Sequence, residues 1–165
     1  MAQSSIVAVK TAGQIRDVAE LAHQIWTEHY TPIIGANQVE YMLNKFQNEK
    51  AISNQIADGF LYFLIEDDSK LGYLSIKAEK QCLFISKIYV LNSKRGKGHG
   101  KKLMLKANHV ANDLGLKKLR LTVNKYNKHS IDAYRKMGFF VAREVVFDIG
   151  NGFVMDDYEM IKGLD

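Results

Sequence analysis

One stretch of sequence decides the fold of this chain: Arg95-Gly96-Lys97-Gly98-His99-Gly100-Lys101-Lys102. It follows a run of strand-forming residues, 83–90, and it opens a helical pattern. A strand, a glycine-rich turn and a helix N-terminus together bind phosphate, because glycines leave backbone N–H groups open to an anion and the helix dipole adds partial positive charge. The stretch therefore predicts a phosphate-binding loop rather than a solvated, basic helix start.

Two nucleotide-binding motifs fit this loop poorly. A P-loop requires Ser or Thr after its Gly-Lys pair, whereas Lys102 follows Gly100-Lys101 here. A dinucleotide fingerprint requires Gly-x-Gly-x-x-Gly after the first strand and an acidic residue about 20 residues later. The spacing here is Gly96-x-Gly98-x-Gly100, and residues 115–123 offer no acidic strand end. The sequence favours neither motif.

Length and composition describe one globular domain. The chain has 165 residues, of which 47% are hydrophobic, and we expect a single domain over residues 1–165. We find neither a secretory signal pattern nor the run of about 20 apolar residues that a membrane span requires. The single cysteine, Cys82, excludes an internal disulfide and predicts a cytoplasmic setting without membrane association. No metal is predicted, because the histidines lack ligand spacing.

The charge distribution favours small charged ligands over nucleic acid. The net charge is +5, and positive residues concentrate at 94–106, 117–128 and 135–136, around the loop. The C-terminal end carries acidic residues instead, namely Asp148, Asp156, Asp157 and Glu159. This separation suits an anionic cofactor at one end and a cationic substrate at the other. Nucleic acid is not expected as a partner, because neither an aromatic-rich basic strand face nor a recognition-helix pattern is present.

The order of elements predicts a mixed α/β (α+β) domain of about seven strands and about four helices. Strands are expected over residues 5–10, 60–66, 71–78, 81–90, 118–123, 139–148 and 153–161. Helices are expected from residue 12, over 37–57 with a candidate break near Lys50, over 98–114 and over 127–137. Pro32 is expected between the first two helical patterns.

Two motifs are similar to those of a known family. Arg95-x-x-Gly98-x-Gly100 matches the Arg/Gln-x-x-Gly-x-Gly/Ala signature of the GNAT superfamily of acyl-CoA N-acyltransferases. Further along the chain, the second motif of that family is matched by Leu121-x-Val123-x-x-x-Asn127-x-x-Ser130-x-x-x-Tyr134-x-Lys136-x-Gly138-Phe139. The resemblance implies a GNAT-like fold, in which a central, mostly antiparallel mixed sheet has a V-shaped split between strands 4 and 5.

The resemblance also implies acetyl-CoA as the cofactor. Pantetheine would lie in the split and pair as a false strand with backbone groups of Ile88, Tyr89 and Val90. The pyrophosphate would lie on the backbone amides of the loop, which are those of Arg95, Gly96, Lys97, Gly98, His99, Gly100 and Lys101. Asn127 and Ser130 would contact the cofactor from the next helix, in addition to being its N-cap and a residue of its first turn.

Tyr134 is the main catalytic candidate. In the family this hydroxyl stands beside the cofactor sulfur and gives a proton to the departing thiolate. A thiol with a pKa of about 8.5 leaves poorly as a bare anion at neutral pH, whereas a phenol with a pKa of about 10 remains protonated and can donate. The alternative for Tyr134 is a core aromatic that faces the sheet.

The base that deprotonates the amine is not evident in the sequence. Deprotonating an alkyl ammonium with a pKa of about 10.4 costs roughly 4–5 kcal/mol at pH 7. Many relatives use a carboxylate on the fourth strand, but that strand reads Ile85-Ser86-Lys87-Ile88-Tyr89 here. Water held by backbone carbonyls, or a carboxylate from elsewhere such as Glu28, could replace it.

The acceptor site of this family is built by the first two helices and the last strands. Candidate lining residues are Trp26, His29, Tyr30, Tyr41, Phe147 and Tyr158. With nearby carboxylates they would suit a cationic amine, while packing between helix and sheet explains most of them equally well. Residues 25–46 and 153–162 are similar to the bacterial polyamine (spermidine/diamine) acetyltransferase branch. A polyamine-like small amine is therefore the leading acceptor.

Two alternative functions stay open. The acceptor could be a protein α-amine or a lysine side chain instead of a small amine. The chain could also be an acyl-CoA-binding regulatory module with little catalysis, which the missing strand carboxylate favours. The resemblance further implies a homodimer.

Overall fold

Seven strands and five α-helices follow one another in the computed structural model, which describes residues 3–164. Met1, Ala2 and Asp165 of the predicted domain lie outside the described residues. The strands are β1 (Ser5–Ala8), β2 (Leu61–Glu66), β3 (Lys70–Ala78), β4 (Leu83–Val90), β5 (Lys118–Asn124), β6 (Phe140–Gly150) and β7 (Phe153–Gly163). The helices are α1 (Ala12–Ile34), α2 (Ala36–Phe46), α3 (Glu49–Ala57), α4 (His99–Asp113) and α5 (Lys128–Lys136).

The predicted second helical region consists of two helices, which brings the number of α-helices in the described residues to five. The break comes at Gln47 and Asn48. The backbone N–H of Gln47 donates to Leu43 at 3.1 Å and closes α2. The side chain of Asn48 then accepts from the backbone N–H of Ala51 at 2.8 Å and caps α3. The predicted break near Lys50 therefore lies a few residues too late.

Helix α1 runs through Pro32 to Ile34, so the prediction that Pro32 separates two helices is wrong. The helix begins as expected, because Thr11 and Gln14 form a reciprocal capping box. A proline removes one helix hydrogen bond, and α1 continues past it for less than a turn. It ends at Gly35, whose φ of 87° is left-handed and whose N–H donates to Thr31.

The chain forms two compact units. The first comprises the chain up to Lys77 together with Lys87–Lys106. In it, β1 pairs antiparallel with β2, and β2 pairs antiparallel with β3. Leu64, Tyr73 and Leu74 are fully buried in its core.

The second unit comprises Ala78–Ser86 and the chain from Ala107 onward. Here β5 pairs antiparallel with β7 along its whole length, and β6 and β7 form a long hairpin. Strands β4 and β5 pair in parallel through a short ladder that ends at Ile85↔Leu121. This short ladder agrees with the predicted divergence of the two strands.

Strand β4 contributes residues to both units, and the strand order is β1-β2-β3-β4-β5-β7-β6. The sheet is mixed and mostly antiparallel, which confirms the predicted fold class. Within residues 3–164, none of the helices combines the length and the apolar character that crossing a bilayer requires.

Candidate active site

The glycine-rich loop of the first unit has an open backbone. Gly96 and Gly98 have φ angles of 78° and 84°, which L side chains rarely adopt. A Cβ placed on Gly96, Gly98 or Gly100 would meet no atom within 4 Å. Helix α4 makes an early backbone bond from Lys102 to Gly98, at 3.1 Å, and the N–H groups of its first turn have no acceptor within the helix. The N–H of Arg95, the first predicted amide of the loop, instead donates to the carbonyl of Asn92 at 3.3 Å. The rest of the loop offers open space and a helix N-terminus to an anion.

The cations of this loop differ in what they contact. The Arg95 side chain is half-buried, and its Nη2 lies 3.4 Å from Nδ1 of His29 on α1. Lys97 and Lys101 are exposed. Lys102 does not belong with them, because its Nζ donates to the hydroxyl of Ser4 at 2.7 Å. Arg95, Lys97 and Lys101 are thus the side chains that can add charge to an anion on the loop.

His99 opens α4 and is half-buried. Its Nδ1 is buried and has no hydrogen-bond partner among the described residues. The loop amides, the open glycine faces and this orphaned ring nitrogen fit a polar group such as a pyrophosphate.

Aromatic side chains pack together on α1 and β4 of the first unit. Trp26 and Tyr30 stack with ring centroids 4.3 Å apart, and Tyr89 meets the edge of Trp26 at 5.8 Å. Trp26 and Tyr30 keep only 4% and 8% of their surface exposed. These two predicted acceptor residues therefore lie in a packed cluster. Glu28, the predicted low-ranking base, is exposed on the same helix.

Asn127 caps α5 in the second unit, as its sequence context predicted. Its side chain accepts from the backbone N–H of Ser130 at 3.4 Å, and only 3% of the residue is exposed. Tyr134 lies two turns further along α5 and is half-buried. Its ring packs against Phe139 with centroids 5.9 Å apart. The cap and this contact hold the helix that carries the phenol.

The remaining predicted acceptor residues are dispersed. Tyr158 lies on β7 opposite Val123, and Nζ of Lys125 stands 5.7 Å from the centre of its ring. Phe147 is exposed on β6. Tyr41 is half-buried on α2.

Two buried charged groups were not singled out by the sequence. Lys87 on β4 is 6% exposed, and burial lowers its pKa to about 7. Asp157 on β7 is 1% exposed, and burial, with the nearby charge of Asp156, raises its pKa to about 6. The sequence had grouped Asp157 with three other C-terminal acidic residues. Only the tertiary structure distinguishes it, as the most buried of the four.

Over residues 3–164, His, Cys, Asp and Glu side chains form no group of three that could hold a metal ion.

The fold and these two motif regions are those of an acetyltransferase family. Residues 19–139 match the acetyltransferase (GNAT) family, and the chain therefore belongs to it. A 56-residue segment is 39% identical to thialysine N-epsilon-acetyltransferase of Bos taurus and covers 34% of this chain. That match spans 33% of the relative's length.

Two further proteins are similar over nearly the whole chain. Spermidine N(1)-acetyltransferase of Thermoplasma acidophilum is 24% identical over 148 residues, which cover 86% of this chain and 89% of the relative. The crystal structure of PaiA N-acetyltransferase from Thermoplasma acidophilum, in complex with coenzyme A, aligns with a TM-score of 0.83 and 20% identity. That alignment covers 98% of this chain and 99% of the other, and at this identity it establishes the fold.

Proposed function

We propose that this protein is an acetyl-CoA-dependent N-acetyltransferase that transfers the acetyl group directly to a primary amine in a ternary complex. The loop at the start of α4 carries the proposal. Two left-handed glycines, unfilled space over the backbone and a helix N-terminus suit the pyrophosphate of coenzyme A. Membership of the acetyltransferase family and the coenzyme A complex of PaiA support that choice of anion.

The cofactor would be held mainly by backbone groups. We propose that the amides from Gly96 to Lys101 and the side chain of Arg95 bind the pyrophosphate, and that Ile88, Tyr89 and Val90 pair with the pantetheine arm. Asn127 and Ser130 are proposed as further contacts. Because the cofactor's recognition is assigned to the main chain, glycine positions in the loop should matter more than the charge of Lys97.

Tyr134 is the proposed general acid. The amine attacks the carbonyl carbon of the thioester, and the carbon–sulfur bond breaks as the tetrahedral adduct collapses. A phenol protonated at neutral pH can give its proton to the departing sulfur. The half-buried position of Tyr134 on a capped helix supports this role, since the ring is fixed while part of it stays accessible.

The leading acceptor is a polyamine-like small amine. The similarity to spermidine N(1)-acetyltransferase supports this choice. Trp26, His29, Tyr30 and Tyr158 stay proposed acceptor residues, with the buried faces of Trp26 and Tyr30 acting as walls rather than as contacts to charge. Glu28 stays a proposed substrate contact or base.

Three broader predictions accompany this function. We propose that residues 1–165 act as one acetyltransferase domain. The cytoplasmic setting and the homodimer stay predictions.

Thiol release from acetyl-CoA tests this function against a panel of diamines, polyamines, free lysine and peptides. Tyr134→Phe should lower kcat by about 10- to 100-fold while leaving coenzyme A affinity intact. Tyr126→Phe is the matched control, because Tyr126 is 69% exposed and lies just before the same helix. Equal turnover by Tyr134→Phe would refute the acid role. Tight coenzyme A binding without turnover of any amine would favour a regulatory module.

A further inference from the structure

Asp157 occupies a defined place at the carboxyl end of β5. In the β5–β7 ladder it pairs with Asn124, the last residue of β5, and Thr122 pairs with Glu159. Paired residues of antiparallel strands project to the same face, so these four side chains share one face of the sheet. It is the face opposite to buried Leu121. Thr122 is the diagonal neighbour of Asp157 on this face, and its hydroxyl is the polar group that partly offsets the rise in the pKa of Asp157.

The turn after β5 is tied to the same place. The backbone N–H of Lys125 donates to the carbonyl of Asp156 at 3.1 Å, and that of Asn127 donates to the carbonyl of Asn124 at 3.0 Å. Asn127 then caps the helix that carries Tyr134. Asp157 and the proposed general acid are thus both held by the segment that leaves the end of β5.

Asp157 is an incompletely paired buried carboxyl. It is 1% exposed, and its Oδ1 is buried without a hydrogen-bond partner among the described residues. Glu159 on the same face provides the contrast, because Arg120 and Arg143 lie 3.5 and 3.2 Å from its Oε2. A structural carboxylate is expected to be neutralised in the way that Glu159 is. Asp157 instead keeps an oxygen able to take a proton.

The charged groups around Asp157 do not hold its carboxyl in the ionised form. They are Asp156 and Glu159 on β7, Glu144 and Arg143 on β6, and Lys125 after β5. Lys125 is engaged elsewhere, since its Nζ lies 2.8 Å from Asp156 and 3.3 Å from Glu144. Burial, then the charge of Asp156, raises the pKa of Asp157 to about 6, which brings it closer to the pKa of an alkyl ammonium at about 10.4.

We propose that Asp157, acting through the hydroxyl of Thr122, accepts the proton of the amine and so supplies the base that β4 lacks. Asp157 itself is buried, whereas Thr122 is half-buried, so the proposed path of the proton from the amine to Asp157 runs through Thr122. This inference rests on the proposed acetyltransferase function.

Every proton of the proposed acetyl transfer is accounted for. The acceptor ammonium gives a proton to Oγ1 of Thr122 as that hydroxyl passes its own proton to Asp157. The nitrogen lone pair forms the carbon–nitrogen bond, the carbon–sulfur bond breaks, and Tyr134 protonates the sulfur. The second proton of the nitrogen restores the Tyr134 phenol. Asp157 returns its proton to solvent through Thr122, so the products are the amide, the coenzyme A thiol and one proton.

The test is the pH profile of kcat and kcat/KM with acetyl-CoA and spermidine, or with whichever amine of the panel the wild type turns over fastest. Wild type should show an ascending limb near pH 6, set by Asp157. Asp157→Asn and Thr122→Val should each lose this limb and lower kcat at neutral pH by about 100-fold. Thr122→Ser, which keeps the hydroxyl, should stay within about threefold of wild type. Asp132→Asn, an exposed carboxyl on α5, is the matched control.

Coenzyme A affinity and thermal unfolding of each variant show whether it is folded. An Asp157→Asn protein that keeps the limb and a kcat within about twofold would overturn the inference. A raised KM with unchanged kcat and pH profile would overturn it too, and would make Asp157 an anchor for the ammonium. A wild-type protein that binds coenzyme A but acetylates no amine would instead refute the proposed function, and this inference with it.

Discussion

The ammonium nitrogen of Lys87 on β4 lies 2.8 Å from the carbonyl oxygen of Phe46, the last residue of α2. The same nitrogen donates to the side-chain oxygen of Gln55 on α3 at 3.0 Å. A single buried side chain thereby joins the strand proposed to meet the cofactor to the ends of two helices. Burial lowers the pKa of Lys87 to about 7, even though its acceptors favour the charged form.

The first prediction concerns pH and Lys87. In the folded state its pKa lies below the ordinary value of 10.5, so the unfolded chain binds more protons between about pH 7 and 10.5. This residue therefore makes the folded state more stable as pH rises through that window, by at most about 1.4 kcal/mol per pH unit. Lys87→Met should lack the rise. Urea unfolding at about pH 6, 7.5 and 9 measures it, and parallel curves for the two proteins would contradict the assignment.

The second prediction concerns Gly98. Its φ of 84° makes Gly98→Ala cost about 1–2 kcal/mol of stability, and the methyl group would stand in the open space above the loop. Coenzyme A affinity, measured by calorimetry, should fall about tenfold or more. Gly115→Ala is the matched control, because Gly115 has a φ of 71° and open surroundings at the end of α4. It should show the same loss of stability with unchanged affinity, and equal affinity losses would argue against the loop as the pyrophosphate site.

The third prediction concerns the approach of β3 to β4. A Cβ on Gly72 would overlap the carbonyl oxygen of Tyr89, which belongs to backbone and cannot move alone. Gly72→Ala should therefore lower the free energy of unfolding by about 2–3 kcal/mol and weaken coenzyme A binding through Tyr89. Gly13→Ala in α1 meets only an ordinary contact at 3.9 Å and should stabilise the helix by up to about 1 kcal/mol. Unchanged stability of Gly72→Ala in denaturant titration would show that the strands separate without cost.

The fourth prediction concerns the cost of burying Asp157. Its folded pKa of about 6 exceeds the ordinary 3.8, so the folded state binds more protons between these values and loses stability as pH rises through them. Asp157→Asn lacks this penalty and should be about 2–3 kcal/mol more stable than wild type at about pH 7.5. The gain should disappear near pH 4, where both proteins carry a neutral side chain. A gain independent of pH would mean that the carboxyl does not titrate as described.

Much of the fold and part of the candidate site follow from local sequence. The glycines of the loop and the N-cap at Asn127 act within a few residues, and the structure shows both as predicted. The passage of α1 through Pro32 was mispredicted because it does not depend on neighbouring residues alone. The hydrogen bond that Pro32 removes lies close to the end of α1, so its loss costs less free energy than the packing of the whole helix contributes. That packing energy is not visible in the local sequence.

The sequence by itself determined the order of elements, the glycine-rich loop before α4 and the placement of Tyr134 on a capped helix, because backbone conformation and capping depend on neighbours along the chain. Only the tertiary structure decided which charged side chains lose their water. Asp157 and Asp156 are adjacent in sequence, yet Asp157 is 1% exposed and Asp156 is paired with Lys125. Adjacent residues of β7 project to opposite faces of the sheet, and packing that involves strands distant in the chain buries Asp157 but not Asp156. Desolvation is a property of that packing, and it makes one ordinary carboxyl a candidate base.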